Sequence, residues 1–288
     1  MKKGANYAIA AIIFILTMAL LNGGSIILAL GASLGGAMIG GEAGIEGAYN
    51  FLLDNLNLLS CLMYLIPGVV FILWYYFAFV ENQGTTEFLR AQTKRLSASC
   101  FGWLVILTFA IQHTVSLLMA IVAVLLPSAM ESYTEMVDSS GLTQYSVMWV
   151  IATVILPPLV EETIFRGLII QYLKRAGAGF LVVNLIQSVL FGIFHMNLIQ
   201  GIYATALGFV LGYLAYRYDS LIVPMVMHAL FNLFGTVVVA LESRILPEIM
   251  LGMLVVGSVP VTVAVLVLMH YGVGEPKKLS ENREKRPK

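Results

Sequence analysis

Apolar stretches long enough to cross a membrane recur along this chain of 288 residues. A helix needs about 20 predominantly apolar residues to cross the hydrocarbon core of a bilayer. Lipid cannot satisfy backbone hydrogen bonds, so a crossing segment must be a helix or part of a closed barrel, and runs of this length favour helices. Eight stretches qualify: 6–30, 56–80, 99–127, 146–172, 179–198, 199–217, 221–242 and 249–271. We therefore predict an all-α, polytopic membrane helix bundle with about eight transmembrane helices.

The composition agrees with a chain that is surrounded mainly by lipid. It is 59% hydrophobic and only 11% charged, whereas soluble domains carry about 25% charged residues. The formal net charge is zero, which argues against nucleic acid as a partner. We predict an integral protein of the cell membrane whose partners include membrane lipids.

The charged residues between the stretches predict the orientation of the chain. Cytoplasmic loops of membrane proteins carry an excess of Lys and Arg. With eight spans counted, one side carries Lys2, Lys3, Arg90, Lys94, Arg95, Lys174, Arg175, Arg217 and the basic tail. The other side is acidic, with Arg244 as its only basic residue. This asymmetry predicts that both termini are cytoplasmic.

Four segments are predicted along the chain. Residues 1–145 hold three transmembrane helices, 146–240 a core with the candidate functional residues, 241–274 the last transmembrane helix, and 275–288 a basic, disordered cytoplasmic tail. Within the first segment, the glycine- and alanine-rich stretch from Gly31 to Asn50 is predicted to be a loop or a re-entrant piece.

Two adjacent glutamates, Glu161 and Glu162, lie inside the fourth stretch. A carboxylate at the centre of a bilayer costs at least about 2.5 kcal/mol, so intramembrane carboxylates usually have a function. Glu162 and Arg166 are separated by four residues and can pair on one helix face. Adjacent helical residues point about 100° apart, which leaves Glu161 to face another helix as a candidate base. The preceding Pro157 and Pro158 predict a kinked or opened helix.

Polar side chains also occur in the fifth and seventh stretches. Asn184, Ser188, Phe191 and His195 follow helical spacing and predict one polar face. His228 and Asn232, again four residues apart, project together. The sixth stretch has small residues every four positions, at Ala204, Gly208 and Gly212, which favours close helix packing. His113 and His270 stand alone in apolar runs, and we predict structural roles for them.

The depths of the two histidines constrain any site that they share. At 1.5 Å per residue, His195 would lie about 24 Å along its span from the cytoplasmic end, and His228 only about 10 Å. A shared site therefore requires a tilted or broken helix, or helix boundaries that differ from the predicted ones.

This set of groups suits the activation of water. A carboxylate can take a proton from water, a histidine can orient that water, and a second histidine with an amide can stabilise an oxyanion. If a metal such as zinc is present, its ligands would be Glu161, His195 and His228, although the H-E-x-x-H motif is absent. Two other classes fit the same residues: an ion- or proton-coupled transporter, and a non-catalytic membrane scaffold or immunity protein.

Three short motifs resemble those of the CAAX-protease and bacteriocin-processing family. Glu161–Arg166 reads EETIFR and matches its E-E-x-x-x-R motif, Phe191–His195 reads FGIFH and matches F-x-x-x-H, and His228–Asn232 reads HALFN and matches H-x-x-x-N. The resemblance covers roughly residues 146–240.

The resemblance implies an intramembrane endopeptidase similar to type II CAAX prenyl proteases. By position, Glu161 and His195 would activate water, His228 and Asn232 would stabilise the oxyanion, and Glu162 and Arg166 would support the site. The implied partner is a peptide or protein substrate, either lipid-modified or membrane-embedded. Members that lack prenylated substrates are linked to peptide maturation and bacteriocin self-immunity. The resemblance leaves open whether hydrolysis is metal-dependent or glutamate-dependent.

Overall fold

The computed structural model describes residues 3–142 and 145–273, apart from the side chain of Asn22. Within these ranges every regular element is a helix, which confirms the all-α class. The helices are α1 (Lys3–Asp54), α2 (Leu56–Gln83), α3 (Thr85–Arg95), α4 (Ala98–Leu125), α5 (Pro127–Ser139), α6 (Val147–Arg175), α7 (Phe180–Phe194), α8 (Leu198–Tyr218), α9 (Ile222–Ile245) and α10 (Glu248–His270). The tail predicted at 275–288 lies outside the described residues.

Seven of the described helices are long and apolar enough to cross a membrane: α1, α2, α4, α6, α8, α9 and α10. They make the chain a polytopic integral membrane protein, as predicted. The predicted span 179–198 is instead the shorter helix α7, with 15 residues. At 1.5 Å per residue α7 is about 22 Å long, whereas the hydrocarbon core is about 30 Å thick. The cytoplasmic location of the termini stays a prediction.

The stretch from Gly31 to Asn50 is helical, so the loop alternative is wrong, and the re-entrant alternative stays a prediction. This stretch continues α1 and departs from helical geometry at Gly41, where φ is 60° and ψ is −137°. Glycine tolerates a positive φ because it has no Cβ. Gly36 and Gly44 lie backbone to backbone across this break, and a Cβ at either one would overlap with the other. The glycines thus build a close turn between two helical arms.

The contacts divide the chain into two compact units. The first consists of Met1–Tyr75 and Met136–Ala178, and the second of Tyr76–Glu135 and Gly179–Lys288. In the first unit, α1 and the Leu56–Tyr75 part of α2 pack on α6. In the second unit, α7 packs on α8, and α4 packs on α10. The domain boundaries predicted from the sequence stay a prediction.

Polar side chains of α7 pack against the small residues of α8, where the spacing predicted a polar face on the first helix and close packing on the second. The Asn184 amide donates to the Phe209 carbonyl at 3.1 Å, and the Gln187 amide donates to the Gly208 carbonyl at 2.9 Å. A Cβ at Gly212 would overlap with the amide groups of Asn184 and Gln187. Because Gly208 and Gly212 have no side chains, the buried amides of α7 can reach the backbone of α8.

Gly212→Ala is expected to destabilise the protein by about 1–3 kcal/mol, because the added methyl group overpacks this contact. The measurement is thermal unfolding in detergent. Gly252→Ala is the matched control, since a Cβ at Gly252 on α10 meets no atom within 4 Å. Equal melting temperatures for the two variants would contradict the close packing of α7 on α8.

His113 of α4 pairs with Glu242 of α9 in the second unit. Its Nε2 lies 3.2 Å from the Glu242 carboxylate, and its Nδ1 donates to the Phe109 carbonyl at 2.9 Å. The two side chains are only 5% and 12% exposed. The Nδ1 proton is donated to the Phe109 carbonyl, so Nε2 is the ring nitrogen that faces the Glu242 carboxylate. This contact supports the structural role predicted for His113.

Glu242→Ala is expected to lower the stability by about 1–3 kcal/mol, since it leaves a buried ring nitrogen of His113 without its partner. Glu248→Ala is the control, because Glu248 is exposed at the start of α10 and should change stability by less than about 0.5 kcal/mol. Unfolding midpoints of the two variants check this. A midpoint for Glu242→Ala that equals the control would contradict a structural pair.

Candidate active site

Helix α6 is irregular around its two prolines. π-helical turns at Val150–Ile155 and Thr163–Ile169 flank the α-helical segment Leu156–Glu162. Pro157 and Pro158 lie in the first turn of that segment, where their missing N–H groups cost little. The predicted opening of the helix thus takes the form of wider turns, which frequently occur at functional sites.

The predicted pair between Glu162 and Arg166 is confirmed. The Arg166 guanidinium donates to the Glu162 carboxylate at 2.8 Å, and neither side chain is exposed. Fully buried Ile164, Phe165 and Leu168 share the same stretch of α6. Removing either charge in such surroundings would destabilise the folded protein by several kcal/mol, because the other charge would be left buried without a partner.

Glu161 faces another helix, as predicted. The Tyr64 hydroxyl of α2 donates to Glu161 Oε1 at 2.5 Å, and Glu161 is 3% exposed. Tyr64 was missed by the sequence analysis, because it lies 97 residues away and outside all three motifs. An aromatic hydroxyl within an apolar stretch was the only available signal.

His195 is the residue that ends α7. Its backbone N–H donates to the Gly192 carbonyl, and the next residue, Met196, has a positive φ of 54°. That left-handed conformation stops the helix, and Asn197 caps α8 by accepting from the Gln200 N–H at 3.0 Å. Helix α7 begins at Phe180, one residue from the predicted start, so the observed boundaries leave the distance of His195 along its helix nearly unchanged.

The imidazole of His195 has a defined tautomer. Its Nδ1 lies 2.8 Å from the Phe191 carbonyl oxygen, which can only accept a hydrogen bond. Nδ1 therefore carries the proton, and Nε2 carries the lone pair whenever the ring is neutral. A lone pair on Nε2 can accept a hydrogen bond from water or bind a metal.

The ring of Phe191 joins the two histidines of the second unit. Its centroid lies 5.0 Å from that of His195 and 5.7 Å from that of His228, each at an interplanar angle of 89°. His228 is 4% exposed, and Asn232 is half-buried one turn further along α9. The histidines of two motifs thus meet at one aromatic side chain, which itself belongs to the F-x-x-x-H motif.

The predicted residues fall into two groups, one in each unit. The first unit brings together Glu161, Glu162 and Arg166, and the second brings His195 and His228 to Phe191. No group of three or more His, Cys, Asp and Glu side chains in the described ranges has the arrangement of a metal site. Zinc binding by Glu161, His195 and His228 stays a prediction.

Comparisons with known proteins single out the same part of the chain. Residues 143–234 match the family model described as type II CAAX prenyl endopeptidase Rce1-like. The resemblance to the CAAX-protease family is confirmed. The matched segment contains all three CAAX-protease motifs, from Glu161 to Asn232, and it begins and ends within a few residues of the 146–240 region that the motifs indicated.

One curated relative is named as a membrane peptidase. The protein named "Putative membrane peptidase YdiL" from Bacillus subtilis (strain 168) is 36% identical over 95 residues. The aligned segment covers 33% of this chain and 38% of the relative. No solved structure matches the chain significantly. The family-model match covers the region that holds the two groups of candidate residues.

Proposed function

We propose that this protein is an intramembrane endopeptidase that hydrolyses a peptide bond close to the membrane. One observation carries the proposal: the buried carboxylate of Glu161 is held by a hydrogen bond beside a closed Glu162–Arg166 pair, inside the segment that matches the type II CAAX prenyl endopeptidase model. A transporter that used both glutamates as carriers would have to break this buried pair.

In the proposed reaction, Glu161 is the general base. A water oxygen attacks the carbonyl carbon of the peptide bond while Glu161 takes up one proton of that water. The electron pair of the C=O bond moves onto the carbonyl oxygen, and His228 and Asn232 donate hydrogen bonds to this oxyanion. When the C=O bond forms again, the C–N bond breaks. The proton on Glu161 then passes to the leaving amine.

His195 orients the attacking water in this proposal. Since its Nδ1 donates to the Phe191 carbonyl, Nε2 accepts a hydrogen bond from the water. Glu162 and Arg166 do not exchange protons with the substrate. Their role is to stabilise α6 next to Glu161, because opposite buried charges at 2.8 Å tie the two turns together.

The substrate is proposed to be a peptide or protein segment at or within the membrane. A lipid-modified peptide is one class, and a membrane-embedded peptide without a lipid is the other. Peptide maturation and bacteriocin self-immunity are the biological settings proposed for such an activity. Zinc dependence stays a prediction, and the steps above use only side chains of this chain.

The test is cleavage of fluorogenic peptides, prenylated and unprenylated, by the purified protein in detergent. Each peptide is assayed with and without a chelator, and zinc is added back afterwards. Cleavage by the wild type supports the proposal. Loss with chelator that zinc reverses would establish a metalloenzyme, and cleavage that is insensitive to chelator would favour the glutamate-dependent mechanism.

Two outcomes would favour the other classes of function. Ion or proton flux in proteoliposomes that depends on Glu161 and Glu162, without cleavage of any peptide, would identify a transporter. A cellular phenotype that survives Glu161→Gln would identify a non-catalytic scaffold or immunity protein. Either result would contradict the proposed peptidase.

A further inference from the structure

The hydroxyl of Tyr64 contacts the carboxylate to which the proposed function assigns proton transfer. Tyr64 lies on α2, about 80 residues before the matched segment 143–234 begins. The contact joins Tyr64 Oη to Glu161 Oε1 at 2.5 Å. A hydroxyl in this position can pack two helices together and can also determine how the carboxylate is oriented.

The packing of α2 on α6 fixes the position of the hydroxyl. Gly68 lies one turn after Tyr64, and a Cβ there would approach a methyl group of Val160 to 3.1 Å. The backbone of α2 is thus held close to the residue that precedes Glu161. Further along the same two helices, Trp74 Nε1 donates to the Tyr172 hydroxyl at 3.1 Å. The close approach at Gly68 holds α2 in the register in which Tyr64 meets Glu161, whereas the Trp74–Tyr172 contact lies about two turns away from it.

A carboxylate that acts as a base needs a defined orientation. Glu161 has three side-chain torsions, and one strong donor on one oxygen removes most of the rotation about the last of them. With Oε1 held by Tyr64, proton transfer is assigned to Oε2. Errors of about 1 Å in the position of a reacting group can cost about 100-fold in rate.

We propose that Tyr64 is a positioning residue that holds Glu161 Oε1 so that Oε2 takes the proton from the attacking water. This inference rests on the proposed function of Glu161 as a base. Tyr64 does not touch the reacting atoms in this proposal, so its removal should slow the reaction without changing substrate affinity.

The test compares two tyrosine-to-phenylalanine variants on the same helix pair. Tyr64→Phe removes the donor to Glu161, and Tyr172→Phe removes the acceptor of the Trp74 hydrogen bond between the same helices. We expect Tyr64→Phe to lower kcat by about 10- to 100-fold, with a KM within twofold of wild type. Tyr172→Phe should leave both constants close to wild type. Rates are normalised to the monodisperse fraction, and melting temperatures are measured for each variant.

Gly68→Ala serves as the second variant, because it keeps Tyr64 and Glu161 but pushes α2 away from Val160. It should also lower kcat, by a smaller factor. A kcat that is unchanged or higher in Tyr64→Phe would overturn the inference, as would an equal loss in Tyr172→Phe.

Cleavage by Glu161→Gln is measured in the same assay, so that failure of the positioning role can be distinguished from failure of the proposed function. If Glu161→Gln is inactive and Tyr64→Phe cleaves like the wild type, only the positioning role is contradicted. If Glu161→Gln still cleaves, or the wild type cleaves no peptide, the proposed function and the inference both fall.

Discussion

Glu161→Gln is expected to lower kcat/KM for peptide cleavage by about 10²- to 10⁴-fold while the protein stays folded. Glutamine has nearly the same shape, and its amide oxygen can still accept the hydrogen bond from Tyr64, but it cannot take a proton from water. The loss is therefore chemical, and the melting temperature should remain close to that of the wild type.

The measurement uses the fluorogenic peptide that the wild type cleaves best. Glu46→Gln is the matched control, since the same change at an exposed glutamate of α1 should leave cleavage intact. Retained cleavage in Glu161→Gln would remove Glu161 from the role of base. A collapse of stability together with activity would instead indicate that Glu161 is mainly structural.

Arg166→Ala is expected to cost about 3–5 kcal/mol of stability, and activity with it. The change leaves the Glu162 carboxylate buried without the guanidinium that lies 2.8 Å away. The cost is largely the desolvation of a charge that has lost its partner. Thermal unfolding in detergent should show a large fall in the melting temperature.

A double variant separates loss of charge from loss of packing. Glu162→Gln combined with Arg166→Met replaces the pair by two neutral side chains of similar size, which often restores the stability lost by breaking a buried pair. We expect the double variant to melt well above Arg166→Ala. A normal melting temperature for Arg166→Ala alone would contradict the structural role of the pair.

Local spacing predicted the parts of the site that lie on one helix. Glu162 and Arg166, and likewise Asn184 and Ser188, are four residues apart, and a helix places such residues on one face whatever surrounds it. The polar face of α7 and the row of small residues on α8 were predicted for the same reason. That these two faces pack on each other is visible only in the structure.

The error at Gly31–Asn50 has a physical cause. Glycine and alanine contribute little hydrophobicity, and glycine lowers helix propensity, so this stretch was predicted to be a loop or a re-entrant piece. Its helical arms instead pack at Gly36 and Gly44. The two arms can pack in this way only because the chain reverses at Gly41, and composition alone does not reveal that reversal.

The sequence by itself determined that this chain crosses the membrane repeatedly as helices, which residues share a helix face, and which segment resembles CAAX proteases. Only the tertiary structure decided that Tyr64 meets Glu161, that α7 ends at His195, and that Phe191 lies against both His195 and His228. Helical periodicity is a local property, whereas contacts between residues that are distant in sequence depend on how separate helices pack.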